Sequence, residues 1–451
     1  MLKEQVAVLG LGLTGLSCVN YLLKEGYQVT VFDTRDNPPG SDKLPKNVSL
    51  IKGALFGERL AAFRLIIASP GIALSTPALQ YAADNGSEII GDIELFARQL
   101  QTPAYRHAKL VAITGSNGKT TVTSLLGEMA KDAAVNVGVG GNIGVPALDL
   151  LSTDIDLYIL ELSSFQLETT SSLNATVATI LNVSEDHMNR YQSYSHYAQA
   201  KQRVYQQCSL ALVNRDDPLT NPALNTPACI SFGLDDQQYG LIEDPEFGIC
   251  LAKAGQLLLP VKQLKLSGKH NWMNALAALA LGEAVGLDKQ VMLTTLQQYS
   301  GLAHRCEFID EVNGVRWIND SKATNVGATL AALTGLQETI NGNVHVILGG
   351  EGKGADFTEL SDVLNSIAGL IVCFGKDGAQ IAAVNRRSKM VENLEQAVEL
   401  IAKNAAPHDL AILSPACASL DMYPNFMARG DHLRQLVATL RSKSAIGDRR
   451  E

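Results

Sequence analysis

The chain has few of the features that mark a secreted or membrane-bound protein. Its seven cysteines are odd in number, scattered, and never form a Cys-X-X-Cys pair, which favours reduced cytosolic thiols over a disulfide framework. No uncharged apolar run reaches the roughly 18 residues that a membrane span needs. The apolar run at residues 6–19 lacks the cleavage site of a signal peptide. We therefore expect a cytoplasmic protein without a membrane partner.

Basic residues are also fewer than acidic residues. The sequence has 37 Lys and Arg against 46 Asp and Glu, a formal net charge of −9, whereas a nucleic-acid partner needs a dominant basic face. We expect no nucleic-acid partner and a monomer. At 451 residues the chain is long enough for about three domains. We place them at 1–95, 96–301 and 302–440, with a disordered tail at 441–451.

The most informative stretch is residues 110–121, LVAITGSNGKTT. Its apolar half is typical of a buried strand, and the apolar spacing after it predicts a helix. Glycines in the turn let backbone N–H groups surround phosphate oxygens, Lys119 adds positive charge, and Thr120 offers a hydroxyl to Mg²⁺. The loop is a short GxxGKT form of the phosphate loop. We predict that a nucleoside triphosphate binds Gly115, Ser116, Asn117, Gly118, Lys119, Thr120 and Thr121.

A second nucleotide signature opens the chain. A strand at 6–9, the glycines Gly10, Gly12 and Gly15, a helical pattern and a strand ending at Asp33 form a dinucleotide fingerprint. Alone, it predicts NAD. Strands alternate with helices along the rest of the chain, so the fold class we expect is α/β. It comprises a Rossmann-like first domain, a central P-loop-type mononucleotide-binding ATPase domain with a mostly parallel sheet, and a Rossmann-like third domain.

Three further side chains of the central segment bear on metal chemistry. Glu161 ends a predicted strand at the same sheet edge as the phosphate loop, which favours a Mg²⁺ role beside Thr120 over a solvated acid. His187 follows the next strand in an acidic loop, where a metal or proton-transfer role and a structural role are equally open. Lys201 lies in a helical pattern, and its spacing alone assigns it no function.

Polar residues mark the junction with the third segment. Asn271 and Asn274 lie at a predicted helix start, where they either cap the helix or contact a base. Four residues of the third segment either form interdomain ion pairs or complete the nucleotide site across a cleft. They are His304, Arg305, Asp320 and Lys322.

These and further motifs, in this order, resemble those of the Mur ligases of peptidoglycan synthesis over nearly the entire chain. They are GLGLTGLS, DTR, ASPGI, TGSNGKTT, GNIG, ELSSFQL, NVSEDHMNRY, AKQRVY, GKHNWMNALAA, HRCE, NDSKATN, LGGEGKGADF and SPACASLDMYPNF. TGSNGKT alone is shared with the group that includes folylpolyglutamate synthase. NDSKATN and the two last motifs are similar to those of the D-glutamate-adding member of the family.

The resemblance implies an ATP-dependent amide ligase that joins D-glutamate to UDP-N-acetylmuramoyl-L-alanine through an acyl phosphate and a tetrahedral intermediate. It also implies two Mg²⁺ ions and a carbamylated lysine at Lys201, which replaces our assignment of no function to this residue. The amino-terminal fingerprint is reassigned from NAD to a uridine nucleotide.

By the same resemblance, Lys119, Glu161, His187 and Lys201 are catalytic, and Thr120 joins the last three as metal ligands. Residues around ATP are the phosphate loop, Asn142, Asn271, Asn274, His304, Arg305, Asp320 and Lys322. Residues around the UDP substrate are Leu13, Thr14, Asp33, Thr34, Arg35, Gly71, Asn142 and His187. Residues around D-glutamate are Thr324, Lys353, Ser419, Leu420 and Phe426.

Other functions stay open as alternatives. They are another Mur-type or folylpolyglutamate-type ligase, an NAD-dependent oxidoreductase, and an ATP-switched binding protein without chemistry.

Overall fold

A computed structural model describes residues 4–188, 190–223, 228–266, 268–337 and 342–447. The chain forms two compact units. The first comprises residues 1–183, 195–259 and 275–296, and the second comprises residues 184–194, 260–274 and 297–451. Three largely parallel sheets carry the fold, so the predicted α/β architecture is confirmed. Within the described ranges, every helix is too short or too polar to traverse a bilayer.

The first sheet lies in the first unit and is entirely parallel. Its elements are β1 (Gln5–Leu9), α1 (Leu13–Lys24), β2 (Gln28–Asp33), β3 (Ser49–Lys52), α2 (Gly57–Leu60), β4 (Leu65–Ala68), α3 (Pro77–Asp84), β5 (Glu88–Ile90) and α4 (Asp92–Leu100). The strand order is β3-β2-β1-β4-β5. The order reverses between β1 and β4, and such a switch point opens a ligand crevice at the carboxyl ends of the strands.

The second sheet, also in the first unit, has nine strands in the order β14-β13-β12-β11-β10-β9-β6-β8-β7. Its elements are β6 (Lys109–Thr114), α5 (Lys119–Asp132), β7 (Val137–Gly141), β8 (Leu157–Glu161), α6 (Ser164–Glu168), β9 (Val177–Ile180), α7 (Tyr194–Gln202), β10 (Leu210–Asn214), β11 (Ala228–Phe232), β12 (Tyr239–Asp244), β13 (Gly248–Lys253), β14 (Gln256–Pro260), α8 (Lys269–Ala284) and α9 (Lys289–Gln298). The strands from β7 to β12 pair in parallel, whereas β12 and β13 are antiparallel. The carboxyl ends of β6, β7, β8 and β9 therefore share one edge.

The third sheet lies in the second unit, in the order β15-β16-β20-β17-β18-β19. Its elements are β15 (Glu307–Val312), β16 (Val315–Asn319), α10 (Val326–Gln337), β17 (Val344–Gly349), α11 (Ser361–Ser366), β18 (Ile371–Phe374), α12 (Gly378–Val384), β19 (Lys389–Met390), α13 (Leu394–Asn404), β20 (Leu410–Leu413) and α14 (Phe426–Gly447). The β15–β16 pair is antiparallel, whereas β16–β20, β20–β17, β17–β18 and β18–β19 are parallel. Loops after β16, β17 and β20 therefore meet at one edge.

Each sheet lies inside one predicted domain, but the predicted boundaries themselves stay predictions. The tail prediction is wrong for residues 441–447, because α14 continues to Gly447. Leu433 and Val437 of α14 are buried in the core of the second unit, and Arg441 donates to Asp310 at 2.7 Å. These contacts stabilise the helix toward its end. Residues 448–451 lie outside the described part of the chain.

A buried histidine–aspartate pair ties together the amino ends of β17 and β20. His345 Nε2 donates to Asp409 Oδ2 at 3.0 Å, because His345 Nδ1 already accepts from the Leu370 N–H. Asp409 also accepts from the backbone N–H groups of Asn343 and Ala406. Burial alone would raise the pKa of Asp409, but these donors hold it below its usual range.

We expect Asp409→Ala to lower the free energy of unfolding by about 3 kcal/mol at pH 7, because it leaves buried donors unpaired. The folded pKa of Asp409 lies below the ~3.9 of an unfolded aspartate, so its contribution is present above that value and is lost as the pH falls through the folded pKa. Denaturant titrations should therefore show a smaller difference at acid pH than at pH 7. The control Glu399→Ala, at an exposed position of α13, should have little effect. A loss that does not depend on pH would contradict this account.

Candidate active site

The phosphate loop joins β6 to α5 through two glycines in the left-handed region. Gly115 has a φ of 150° and Gly118, which caps α5, has a φ of 81°. A Cβ at Gly115 would lie 3.1 Å from the Leu181 Cβ, so both backbone conformation and space favour glycine there. Since α5 begins at Lys119, its positive end faces the loop, as in sites that bind phosphate.

Two lysines converge on one carbonyl of this loop. The Gly115 oxygen accepts from Lys119 Nζ at 2.6 Å and from Lys201 Nζ at 2.9 Å. Lys201 is only 1% exposed, and its Nζ lies 4.5 Å from the centroid of the Tyr197 ring. The Tyr197 hydroxyl in turn contacts Ser116 Oγ at 3.0 Å. Two neighbouring ammonium groups make this edge strongly attractive to an anion.

Glu161 supplies a carboxylate at the same edge. It is the last residue of β8 and is 2% exposed, and its Oε1 accepts from Asn142 Nδ2 at 2.8 Å. Its Oε2 is buried without a hydrogen-bond partner in the described residues. A buried, unpartnered carboxylate oxygen beside a phosphate loop has the chemistry of a Mg²⁺ ligand. The described residues contain no group of three or more His, Cys, Asp or Glu side chains arranged for a metal.

His187 belongs to the second unit. Its φ is 58°, its backbone N–H donates to Asp186 Oδ1 at 2.9 Å, and its Nε2 lies 3.6 Å from Asp186 Oδ2. Asn325 Nδ2 is 3.4 Å from the same carboxylate oxygen. A shared metal site for His187, Glu161 and Lys201 stays a prediction.

A cavity of about 560 Å³ opens at the switch point of the first sheet. It includes every residue predicted for the UDP substrate in the first unit: Leu13, Thr14, Asp33, Thr34, Arg35, Gly71 and Asn142. Other residues of its wall were not assigned individually to the substrate, although Gly10, Gly12 and Gly15 belong to the predicted nucleotide fingerprint. These other residues are Gly10, Gly12, Gly15, Ser69, Pro70, Ile72, Gly141, Ile143, Gly144, Pro146 and Gln166.

Asp33 lies in the cavity wall, and each of its carboxylate oxygens already accepts two hydrogen bonds. Its Oδ1 accepts from the backbone N–H and Nε of Arg35, and its Oδ2 accepts from Arg35 Nη2 and the Leu11 N–H. The hydrogen bonds from Arg35 lower the pKa of Asp33 to about 2, although burial opposes the shift. Because each oxygen accepts two hydrogen bonds, a ribose hydroxyl would have to displace one of them. This arrangement disfavours the NAD interpretation of the fingerprint.

Asp320 and His304 are brought together at the edge of the third sheet. Asp320 accepts from the Cys306 N–H at 3.1 Å and from Ser414 Oγ at 2.8 Å, and burial raises its pKa to about 6. Asn319 Nδ2 lies 2.9 Å from His304 Nδ1, and burial lowers the pKa of His304. Arg305 follows in the turn before β15.

Predicted ATP and D-glutamate residues also meet at this edge. Lys322 Nζ lies 4.4 Å from the centroid of the Phe426 ring, which contacts the His304 ring edge-on at 6.0 Å. Thr324 and Lys353 are half-buried in the loops after β16 and β17, and Ser419 is buried after β20. Leu420 is 63% exposed.

The two asparagines predicted to contact ATP lie near each other at the start of α8, within the second unit. Asn274 Nδ2 lies 3.4 Å from Asn271 Oδ1.

Arg429 holds the loops of this edge and was not predicted. It is fully buried and donates to Ser321 Oγ and O, to the Cys417 carbonyl and, at 3.3 Å, to the carbonyls of Gly349 and Ala418. These oxygens lie at the end of β17 and in the loops after β16 and β20. One guanidinium therefore fixes all three loops that carry the predicted acceptor residues.

Family models match three successive parts of the chain. They describe a Mur ligase MurD-like N-terminal domain at 4–91, a Mur ligase middle domain at 113–282, and a Mur ligase glutamate ligase domain at 304–417. The chain belongs to the Mur ligase family. The resemblance inferred from the motifs is thus confirmed.

Relatives within the Mur ligases are close in sequence. The chain is 53% identical over 440 residues to the UDP-N-acetylmuramoylalanine–D-glutamate ligases of Shigella boydii and Escherichia coli K12, covering 97% of this chain and 98% of each relative. The MurC structure of Thermotoga maritima matches with a TM-score of 0.60 at 19% identity, over 97% of this chain and 99% of that chain. A MurF structure of Acinetobacter baumannii matches with a TM-score of 0.59 at 19% identity, over 97% and 93%. These structures support the fold.

Asn182 is a further residue of the phosphate edge that was not predicted. Its carbonyl accepts from the Ser116 N–H, its Oδ1 accepts from the Asn117 N–H, and its Nδ2 donates to the Asn117 carbonyl. Asn182 therefore holds the loop against the end of β9. Its position directly after a predicted strand was the available signal.

We expect Asn182→Ala to raise the KM for ATP about tenfold, because the loop loses two side-chain hydrogen bonds worth ~1 kcal/mol each. Steady-state kinetics with varied ATP measure the change. The exposed Asn221→Ala serves as the matched control and should leave KM unaltered. An unchanged KM for ATP in Asn182→Ala would show that the loop keeps its shape without this residue.

Proposed function

We propose that this Mur ligase joins D-glutamate to UDP-N-acetylmuramoyl-L-alanine, with ATP converted to ADP and phosphate, in peptidoglycan precursor synthesis. The identity of 53% over 440 residues to D-glutamate ligases carries the choice of acceptor. The convergence of Lys119 and Lys201 beside Glu161 supports the phosphoryl-transfer chemistry. We further propose that the enzyme is a cytoplasmic monomer without nucleic-acid or membrane partners.

The first step activates a poor electrophile. A carboxylate oxygen of the L-alanyl group attacks the γ-phosphorus, and the bond to the β-phosphate oxygen breaks to release ADP. The product is an acyl phosphate, whose phosphate is a good leaving group. Lys119 and the backbone N–H groups of the phosphate loop stabilise the charge on the transferring phosphoryl group, and α5 contributes its positive end.

The second step forms the amide. The neutral amine of D-glutamate attacks the acyl carbon, the nitrogen loses a proton, and the tetrahedral intermediate expels phosphate by breaking the carbon–oxygen bond. No protein nucleophile is needed, so the protein supplies alignment and charge. We assign alignment of D-glutamate to Thr324, Lys353, Ser419, Leu420 and Phe426. Asn271, Asn274, His304, Arg305, Asp320 and Lys322 are assigned to ATP, together with Asn142.

Two Mg²⁺ ions would be held by Thr120, Glu161, His187 and a carbamylated Lys201. When bound, they would neutralise phosphate charge. The unpartnered Glu161 Oε2 supports this assignment. Carbamylation of Lys201 would also replace one of two ammonium groups at the Gly115 carbonyl by an anion, which relieves their repulsion.

We place the UDP part of the substrate in the cavity of the first sheet. Leu13, Thr14 and Gly71 lie in its wall with the Asp33–Arg35 pair, and Arg35 remains half-exposed. An arginine held in place by a carboxylate is well suited to bind a diphosphate or a uracil edge. Thr34, Asn142 and His187 complete the assigned set.

We expect phosphate release to require ATP, UDP-N-acetylmuramoyl-L-alanine and D-glutamate together, since the acyl phosphate turns over only when the amine is present. Each component is omitted in turn while phosphate is measured. D-glutamate, L-glutamate and meso-diaminopimelate then compete as acceptors, with the products identified by mass spectrometry. Phosphate release independent of D-glutamate, or a product containing another acceptor, would refute the proposal.

We expect Lys201→Ala to reduce activity at least a hundredfold, with partial recovery in added formate or acetate, because a short carboxylate can replace a carbamate as a metal ligand. In ¹³C-bicarbonate, a carbamate carbon signal should appear in the NMR spectrum of the wild-type protein and disappear in this variant. Lys131→Ala on α5, whose lysine pairs with Glu128, is the control. Full activity of Lys201→Ala would exclude the carbamate.

A further inference from the structure

Helix α4, which leads from the first sheet to the second, begins with two buried acids. Asp92 is 3% exposed and Glu94 is 1% exposed, and the one basic side chain of α4, the exposed Arg98, pairs with Glu94 rather than with Asp92. Burial raises the pKa of Asp92 to about 6. For Glu94, hydrogen bonds outweigh burial and lower the pKa. Burying an ionised carboxylate is energetically unfavourable unless hydrogen bonds or ion pairs compensate for its lost hydration.

Glu94 binds the loop that follows α6. Its Oε2 accepts from the backbone N–H groups of Ser171 at 2.8 Å and Ser172 at 2.9 Å. Its Oε1 accepts from Ser172 Oγ at 2.8 Å and from Arg98 Nε at 3.0 Å. One carboxylate from another element therefore satisfies the backbone N–H groups of Ser171 and Ser172.

Asp92 binds α6 itself through Gln166. Asp92 Oδ2 accepts from Gln166 Nε2 at 3.1 Å, and Gln166 Oε1 accepts from the Ser163 N–H at 3.1 Å. Both ends of the carboxamide are therefore held, which fixes its orientation. Gln166 is 2% exposed and forms part of the wall of the 560 Å³ cavity.

We propose that Asp92 and Glu94 are positioning residues for the UDP-linked substrate, because they hold segment 163–172 against α4 and thereby fix Gln166 in the cavity wall. The inference rests on the proposed function in taking this cavity as the UDP-substrate site. Segment 163–172 begins two residues after Glu161, at the phosphate edge. Gln166 of this segment lies in the cavity wall, whereas Glu161 lies outside the segment. We therefore expect loss of the two acids to affect the substrate cavity first and the ATP site only secondarily.

The first test compares KM values. We expect Asp92→Ala to raise the KM for UDP-N-acetylmuramoyl-L-alanine about tenfold, the effect of one lost hydrogen bond to a charged group. The KM for ATP should stay within about twofold, and Asp92→Asn, which keeps an acceptor oxygen, should restore most of the affinity. A purely structural role would instead change both KM values together, or would not be rescued by asparagine, and either result would overturn the proposal.

The second test asks whether Asp92 acts through Gln166. Because the two residues act as one unit, the KM of Asp92→Ala/Gln166→Ala should equal that of Gln166→Ala alone. Effects that multiply in the double variant would show that Asp92 works by another route and would overturn the inference.

The third test uses a matched pair on Arg98. Both Glu94 and Glu88 bind this arginine, but only Glu94 holds Ser171 and Ser172. Glu94→Gln keeps the size of the side chain and should raise the KM for the UDP substrate severalfold, whereas Glu88→Gln should not. The comparison of Glu94→Gln with Glu88→Gln also tests the proposal if Asp92→Ala does not fold. Equal effects of the two variants would count against the proposal.

Binding of UDP-N-acetylmuramoyl-L-alanine without ATP, measured by calorimetry, separates the two levels of inference. If the wild-type protein does not bind this compound, the proposed function fails and the inference fails with it. If the wild-type protein binds it and the Asp92 and Glu94 variants bind it equally well, only the positioning role is wrong.

Discussion

The phosphate edge depends on one backbone carbonyl, that of Gly115. The left-handed turn at this residue aims its oxygen at Lys119 and Lys201, while the following N–H groups bond to Asn182. A side chain at Gly115 would press on Leu181 and would not adopt this φ readily. One glycine therefore sets the position of two lysine side chains and of the predicted phosphate loop. Charge at this edge follows from backbone geometry before any ligand binds.

Parallel pairing extends this local arrangement into a site. Because β7, β8 and β6 run in the same direction, Asn142, Glu161 and the phosphate loop emerge side by side. The same rule places the cavity of the first sheet at its switch point, where Asp33 fixes Arg35. Polar residues at strand ends are thus grouped by topology, although they are far apart in the sequence.

The sequence predicted the parallel core strands well, because runs such as 110–113 and 410–413 are continuously apolar and buried. It did not predict strands β12, β13 and β14, in which buried and exposed residues do not follow a two-residue alternation. The seven first-unit residues that the motifs assigned to the UDP substrate all lie in the cavity wall. Gln166, Asn182 and Arg429 were missed, because their importance depends on partners in other elements. Only a folded chain brings such partners together.

Arg429 carries a buried charge at the edge of the third sheet, and no described ion pair neutralises it. Backbone and hydroxyl oxygens satisfy its donors, and burial lowers its pKa to about 10, so the guanidinium stays cationic near neutral pH. Because it lies beneath the loops after β16, β17 and β20, its field reaches the surface that those loops form. We expect this field to favour a dicarboxylate acceptor even without direct contact, and the carboxylates of Asp421 and Asp320 near Arg429 to reduce the effect. The residue that orders the loops would thereby also favour the charge of the proposed substrate.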